Sequence, residues 1–199
     1  MVWTLVAAVA LQAAPAEAKK KGKKKDRDPE ELFNPLLGIE HSHWLVGPIY
    51  EIASEQEIAA FLDFVDEGEA TSFIEEFWGK RNQGTGFFED SPEEIFDQRA
   101  ELADGRYTEG ALPGRRTDRG TIFIVFGEPE EIEYESSDKV GGAPLEVWKY
   151  PKDAEEGLGG ESPKRSYRFI EVGESTVFFN QQSAHRRELE DRRRLKPRY

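Results

Sequence analysis

Thr117-Asp118-Arg119-Gly120 is the sharpest concentration of chemistry in this 199-residue chain. A carboxylate beside a guanidinium can serve as a general base next to an anion-binding group. On that reading Asp118 is the base, or orients a ligand, and Arg119 holds an anion. The same residues can also serve a fold. Thr and Asp oxygens accept hydrogen bonds from backbone N–H groups in tight turns. Arg119 would then pair with a carboxylate of the acidic body, and Gly114 and Gly120 would permit unusual backbone angles. The structural reading is the simpler of the two.

Other constellations are weaker. His41 and His43, with Glu40 beside them, would point the same way from an extended segment and could share one ion. A third ligand would have to come from far off, such as His185, and no H-E-x-x-H spacing is present. They read as surface or capping histidines beside Trp44, and no metal is assigned. The chain has no cysteine, which excludes disulfides, thiolate catalysis and Cys-ligated zinc. Gly157-Leu-Gly-Gly160 lies among acids and precedes no lysine, so it is no phosphate cradle. There is no G-x-S-x-G elbow, and three histidines leave a Ser-His-Asp triad few ways to form. Forty acidic residues supply so many carboxylate pairs that no one pair argues for glycoside hydrolysis. No cofactor is expected.

The net charge of −13 is unevenly distributed. Residues 19–27 and 186–199 each hold seven Lys or Arg, while residues 28–185 hold 13 basic against 35 acidic residues. Such a body repels nucleic acid and anionic lipid, so no nucleic-acid partner is expected, and only the tails would attract an anionic ligand. Those tails are expected to be solvated or to fold back on the acidic body. Val2 to Ala14 is almost wholly apolar and leads to Ala16-Glu17-Ala18, the pattern of a secretory leader cut after Ala18. The leader has no Lys or Arg before its apolar run, and the lysines after it oppose translocation. The expectation is an exported protein, periplasmic or secreted, with no transmembrane segment after cleavage.

The elements that must position Thr117–Gly120 follow from periodicity and caps. The expected organisation is a signal peptide at 1–18, a basic disordered linker at 19–35, one α+β domain at 36–182, and a charged tail at 183–199. Ser54 with Glu57 is a capping box, followed by Ile58, Phe61, Leu62 and Val65 at helical spacing. Phe73, Ile74, Phe77 and Trp78 predict a second helix. Ser91, Pro92 and Glu94 open a third, with Ile95, Phe96, Leu102 and Ala103 as its apolar positions. Thr121–Phe126 is short, β-branched, aromatic and apolar on both faces, which predicts a central strand ended by Gly127-Glu128-Pro129. Further strands are expected at Ile132–Tyr134 (half-exposed), Leu145–Tyr150, Ser166–Val172 and Thr176–Asn180, with a hairpin turn at Gly173-Glu174. Helices first and strands after give an α+β fold whose antiparallel meander has about four to five strands.

Gly114-Arg115-Arg116-Thr117-Asp118-Arg119-Gly120, running through an apolar segment into Gly127-Glu128-Pro129, resembles the signature of the GWxTD domain family. His43-Trp44-Leu45, Phe73–Trp78, the trio Phe96, Arg99 and Ala103, and the Trp148-x-Tyr150 strand are similar to further stretches of that family, in the same order. The resemblance covers roughly residues 36–180. Arg115 replaces the family's Trp, and Arg81-Asn82-Gln83 replaces its Arg-Asp-Pro. A site shared through that Trp or Asp would be altered here. The resemblance implies a bacterial, envelope-associated protein and names no reaction. The expected function is therefore a non-catalytic module that binds an envelope protein or a surface polymer. The alternatives are a hydrolase-type enzyme using Asp118 with Arg119, or anionic-ligand binding through the basic tails.

Overall fold

A computed structural model of the chain describes residues 27–179, apart from 84, 87, 88 and 137–143. The expected leader, the lysine run and the tail at 183–199 lie outside the described residues. Within residues 29–35, expected in the linker, Leu32 and Asn34 are buried. Pro29–Leu32 forms a 3-10 turn with Leu32 buried, and the Asn34 amide donates to the carbonyls of Phe61 and Phe64, each at 3.0 Å.

Among the described residues, five α-helices precede four strands: α1 (Pro48–Ile52), α2 (Glu55–Leu62), α3 (Glu67–Arg81), α4 (Pro92–Tyr107), α5 (Asp118–Phe126), β1 (Glu131–Glu135), β2 (Leu145–Lys149), β3 (Ser166–Val172) and β4 (Ser175–Phe178). The strands form one antiparallel meander in the order β1-β2-β3-β4. The expected α+β architecture is thus correct, and both expected capping boxes are present at Ser54/Glu57 and Ser91/Glu94. The β3–β4 hairpin turns at Gly173-Glu174, with Gly173 at φ +66°.

One element was misassigned. Thr121–Phe126 is helical, within α5, and not a central strand. A short apolar run carries no period that separates a buried strand from a buried helix. Here Thr117 caps the helix, Gly127 at φ +80° stops it, and Thr121–Val125 is buried on every side. That burial overrides the low helix propensity of its β-branched residues.

Burial differs from expectation at the element ends. Val65 falls beyond the end of α2 and is exposed, as is Leu102 on α4. Ile132 and Tyr134 share a sheet face with buried Trp148 and Phe169, yet on edge strand β1 Tyr134 is 70 % exposed.

Two apolar cores meet at α5. One gathers Leu45, Ile52, Ile58, Phe61 and Phe77 with Val125, and the Trp44 ring packs tilted on Phe61 with centres 4.7 Å apart. The other joins Ala100 and Ala103 of α4 to Ile122–Ile124 and to Trp148, Tyr150, Tyr167 and Phe169 of the sheet region. Phe96 and Phe126 line both. A helix shared by two cores has no solvent face, so its ends must be closed by protein groups.

Candidate functional site around helix α5

The amino end of α5 is closed by the signature residues. The Thr117 hydroxyl donates to the Gly114 carbonyl at 2.9 Å and accepts from the Gly120 N–H at 3.0 Å. Serine or threonine can make both bonds and valine neither. Gly114 and Gly120 do not adopt positive φ, which corrects the expectation of unusual backbone angles. They are small because the chain is crowded. A Cβ on Gly114 would lie 1.8 Å from the Ala103 carbonyl oxygen, and one on Gly120 would lie 1.8 Å from that of Gly114. α4, the Gly114–Arg116 turn and α5 therefore stack backbone on backbone.

Asp118 is the first residue of α5, where a carboxylate suits the helix dipole. Its Oδ2 accepts the Phe178 N–H at 2.6 Å, an outward N–H of edge strand β4. Burial pushes the Asp118 carboxyl above its ordinary range, the Phe178 N–H opposes that shift, and nearby Glu109 adds to it. Arg119 bridges Glu109 at 2.9 Å and Glu146 at 3.2 Å. Those carboxylates have second duties. Glu109 accepts the Thr176 N–H of β4 at 2.9 Å, and Glu146 accepts the Trp148 indole N–H at 2.7 Å. The guanidinium carbon lies 5.6 Å from the Tyr107 ring centre. Sequence reasoning paired Arg119 with an acid of the body but named neither one, because Glu109 and Glu146 carry no local signal.

The carboxyl end of α5 is closed from a distance. Arg99 of α4 donates through Nη1 to the Ile124 carbonyl at 3.0 Å and to that of Val125 at 3.4 Å. A guanidinium there complements the negative end of the helix. Tyr150 donates its hydroxyl to the Gly127 carbonyl at 2.9 Å, and burial raises its pKa. Gly127, Pro129, Trp148 and Tyr150 thus gather around this end and the adjoining core, with Pro129 and Trp148 buried.

The two departures from the family signature sit elsewhere. Arg115, at the Trp position, binds Asp104 of α4 through Nε at 2.7 Å. Asn82, at the Asp position, accepts the Glu93 N–H at 3.3 Å and donates to the Glu93 carboxylate at 2.9 Å, which ties α3 to the start of α4. The acceptor half of that pair is one an Asp could also supply. The preceding Arg81 makes a two-pronged pair with Glu57, both bonds at 2.9 Å. Burial works against the Glu57 charge, but Arg81 and the Ser54 groups outweigh it and hold its pKa at about 2.

His41 and His43 do not converge. His41 pairs with Glu67 of α3, whereas His43 contacts the Ser42 hydroxyl at 3.0 Å and packs against Phe33. Among the described residues no three His, Asp or Glu side chains gather as metal ligands, and no helix is long and apolar enough to cross a membrane.

Helices followed by an antiparallel meander, with the signature capping the helix between them, define an α+β domain of one recognisable kind. The chain belongs to the GWxTD domain family, whose model matches residues 37–169. No curated protein and no solved structure matches it.

Proposed function

We propose that the chain is an exported, non-catalytic binding module that engages another protein or a surface polymer of the cell envelope. The observation that carries this reading is where the signature's polar groups are directed. The Thr117 hydroxyl is engaged on Gly114 and Gly120, Asp118 Oδ2 on Phe178, and the two terminal nitrogens of Arg119 on Glu109 and Glu146, with Arg119 Nε buried and unpartnered. Groups held this way fasten α5 to the sheet. The hydrolase alternative draws on the upward shift of the Asp118 carboxyl, which would suit a general base. Burial and Glu109 account for that shift without a substrate.

The test is affinity capture from envelope extract with the purified chain, comparing wild type with Asp118→Asn. A partner retained by both at low salt and released at high salt is expected. Hydrolysis of an ester, phosphoester or glycoside that is lost in Asp118→Asn would move the enzyme reading to first place. For export, sequencing of the mature amino terminus is expected to begin at Lys19, after the Ala16-Glu17-Ala18 pattern.

A further inference from the structure

Residues 28–79 contain thirteen Asp or Glu and no Lys or Arg. Some of those acids are neutralised from outside the stretch: Arg27 pairs with Glu55, Lys80 with Glu76 and Arg81 with Glu57. Among the described residues no Lys or Arg pairs with the acids of the two loops 33–41 and 62–67 at the end of this helical half. The loops run side by side, fastened by the Asn34 amide on the Phe64 carbonyl and by the Gly38 N–H on Glu67. From them Leu36, Ile39 and Val65 stand out to solvent, 62 %, 94 % and 66 % exposed. A single exposed aliphatic residue calls for no explanation, but three on adjoining loops ringed by acids do. Glu40, Asp63 and Asp66 lie within these loops, and Glu67 is hydrogen-bonded to His41.

Resting on the binding-module reading above, we propose that this tip is the docking surface and that its occupant is a segment of a partner protein in which aliphatic side chains alternate with Lys or Arg. Charge and apolar content together select that occupant. An anionic polymer or lipid surface is repelled by the acids. A second copy would bring the same acids face to face, which is costly. The chain's own lysine run at 19–25 has the charge but no aliphatic side chain to cover Leu36, Ile39 and Val65. A cationic amphipathic segment supplies both, with the lysines steering encounter and the aliphatic groups giving residence.

The experiment uses the full chain and a fluorescein-labelled amphipathic peptide of leucine and lysine, with binding read by anisotropy. The variant Leu36→Ser/Ile39→Ser/Val65→Ser removes exposed groups only, so its unfolding midpoint should match wild type. It is expected to bind the peptide about tenfold more weakly, a difference of about 1.4 kcal/mol. Glu131→Gln/Glu133→Gln/Glu135→Gln, on the distant strand β1, is expected to leave binding unchanged. Equal affinity in the triple-serine variant, or equal binding of a lysine peptide with alanine in place of leucine, would show attraction by charge alone and overturn the proposal. Binding that appears only after residues 183–199 are removed would assign the surface to the chain's own tail and also overturn it. If the triple-serine variant still retains an envelope partner, the binding-module reading survives and this surface is wrong.

Discussion

The two ends of α5 solve the same problem by different means. Both must satisfy backbone groups that the helix leaves open, and both sit away from bulk water. The helix-capping bonds at the amino end come from residues close in sequence, Gly114, Thr117 and Gly120, while Asp118 and Arg119 tie that end to β4 and β2. The carboxyl end is closed by residues far from it in sequence, Arg99 from α4 and Tyr150 after β2. The charges are matched to the helix dipole at both ends, carboxylate at the start and guanidinium at the finish. A local closure can be written as a short motif. A distant closure cannot, although it carries comparable responsibility for the fold.

If the amino end depends on close backbone approach, Gly120→Ala is, with Gly114→Ala, among the most disruptive substitutions there. Its methyl group would overlap the Gly114 carbonyl, and backbone rather than a flexible side chain would have to move. A cost above about 4 kcal/mol is expected, a large part of the stability of a domain this size. Far-ultraviolet circular dichroism and urea unfolding should show a chain that is unfolded or nearly so. A folded, stable Gly120→Ala would break the comparison, since the stack of α4, turn and α5 would then not be close-packed.

At the other end, Arg99→Ala removes the donor to the Ile124 carbonyl and leaves space beside Gly127, while the Val125 carbonyl keeps the Leu158 N–H at 3.0 Å. Burial lowers the Arg99 pKa, so part of the loss is offset by relief of desolvation. A net cost of about 2–3 kcal/mol is expected by urea unfolding. Thr117→Val keeps the shape and deletes the cap, at about 1–2 kcal/mol, and Thr117→Ser should restore most of it. If Thr117→Val cost more than Arg99→Ala, the local motif would dominate and the distant closure would be secondary.

The same division explains what could be read from the sequence. The capping boxes at Ser54/Glu57 and Ser91/Glu94 and the Gly173-Glu174 hairpin were legible because their chemistry is complete within a few residues. The apolar run at Thr121–Phe126 was read as a strand because a helix surrounded by two cores loses its period. Its caps were nonetheless present, Thr117 just before it and Gly127 just after it. Arg119 could be assigned an acidic partner in kind but not in identity, since Glu109 and Glu146 reach it only once the loop after α4 and strand β2 are placed. Val65 continued a helical pattern past the end of α2, and Leu102 lies beside buried Ala103 on a side of α4 left exposed.

The smallest expected effect separates what Asp118 contributes as an acceptor from what it contributes as a charge. Its folded pKa is raised above the ordinary 3.8, so the native state holds the proton more tightly than the unfolded chain. Its ionised form therefore costs stability at neutral pH, and that cost fades as pH falls through the raised value. Asp118→Asn keeps an oxygen for the Phe178 N–H and removes the charge. It should be at least as stable as wild type at pH 7, with its advantage shrinking on acidification. Asp118→Ala removes the acceptor as well and should lose about 1 kcal/mol. The comparison must be made as a difference from wild type, because Glu57 titrates in the opposite sense. Its folded pKa is depressed from 4.5 to about 2, so its contribution is present above 4.5 and is lost as pH falls towards 2. Urea unfolding of the three chains between neutral pH and pH 4 reads the difference directly. If Asp118→Asn falls as far as Asp118→Ala, the carboxylate's charge at the start of α5 is what stabilises that end, and both ends of the helix are then closed by charge.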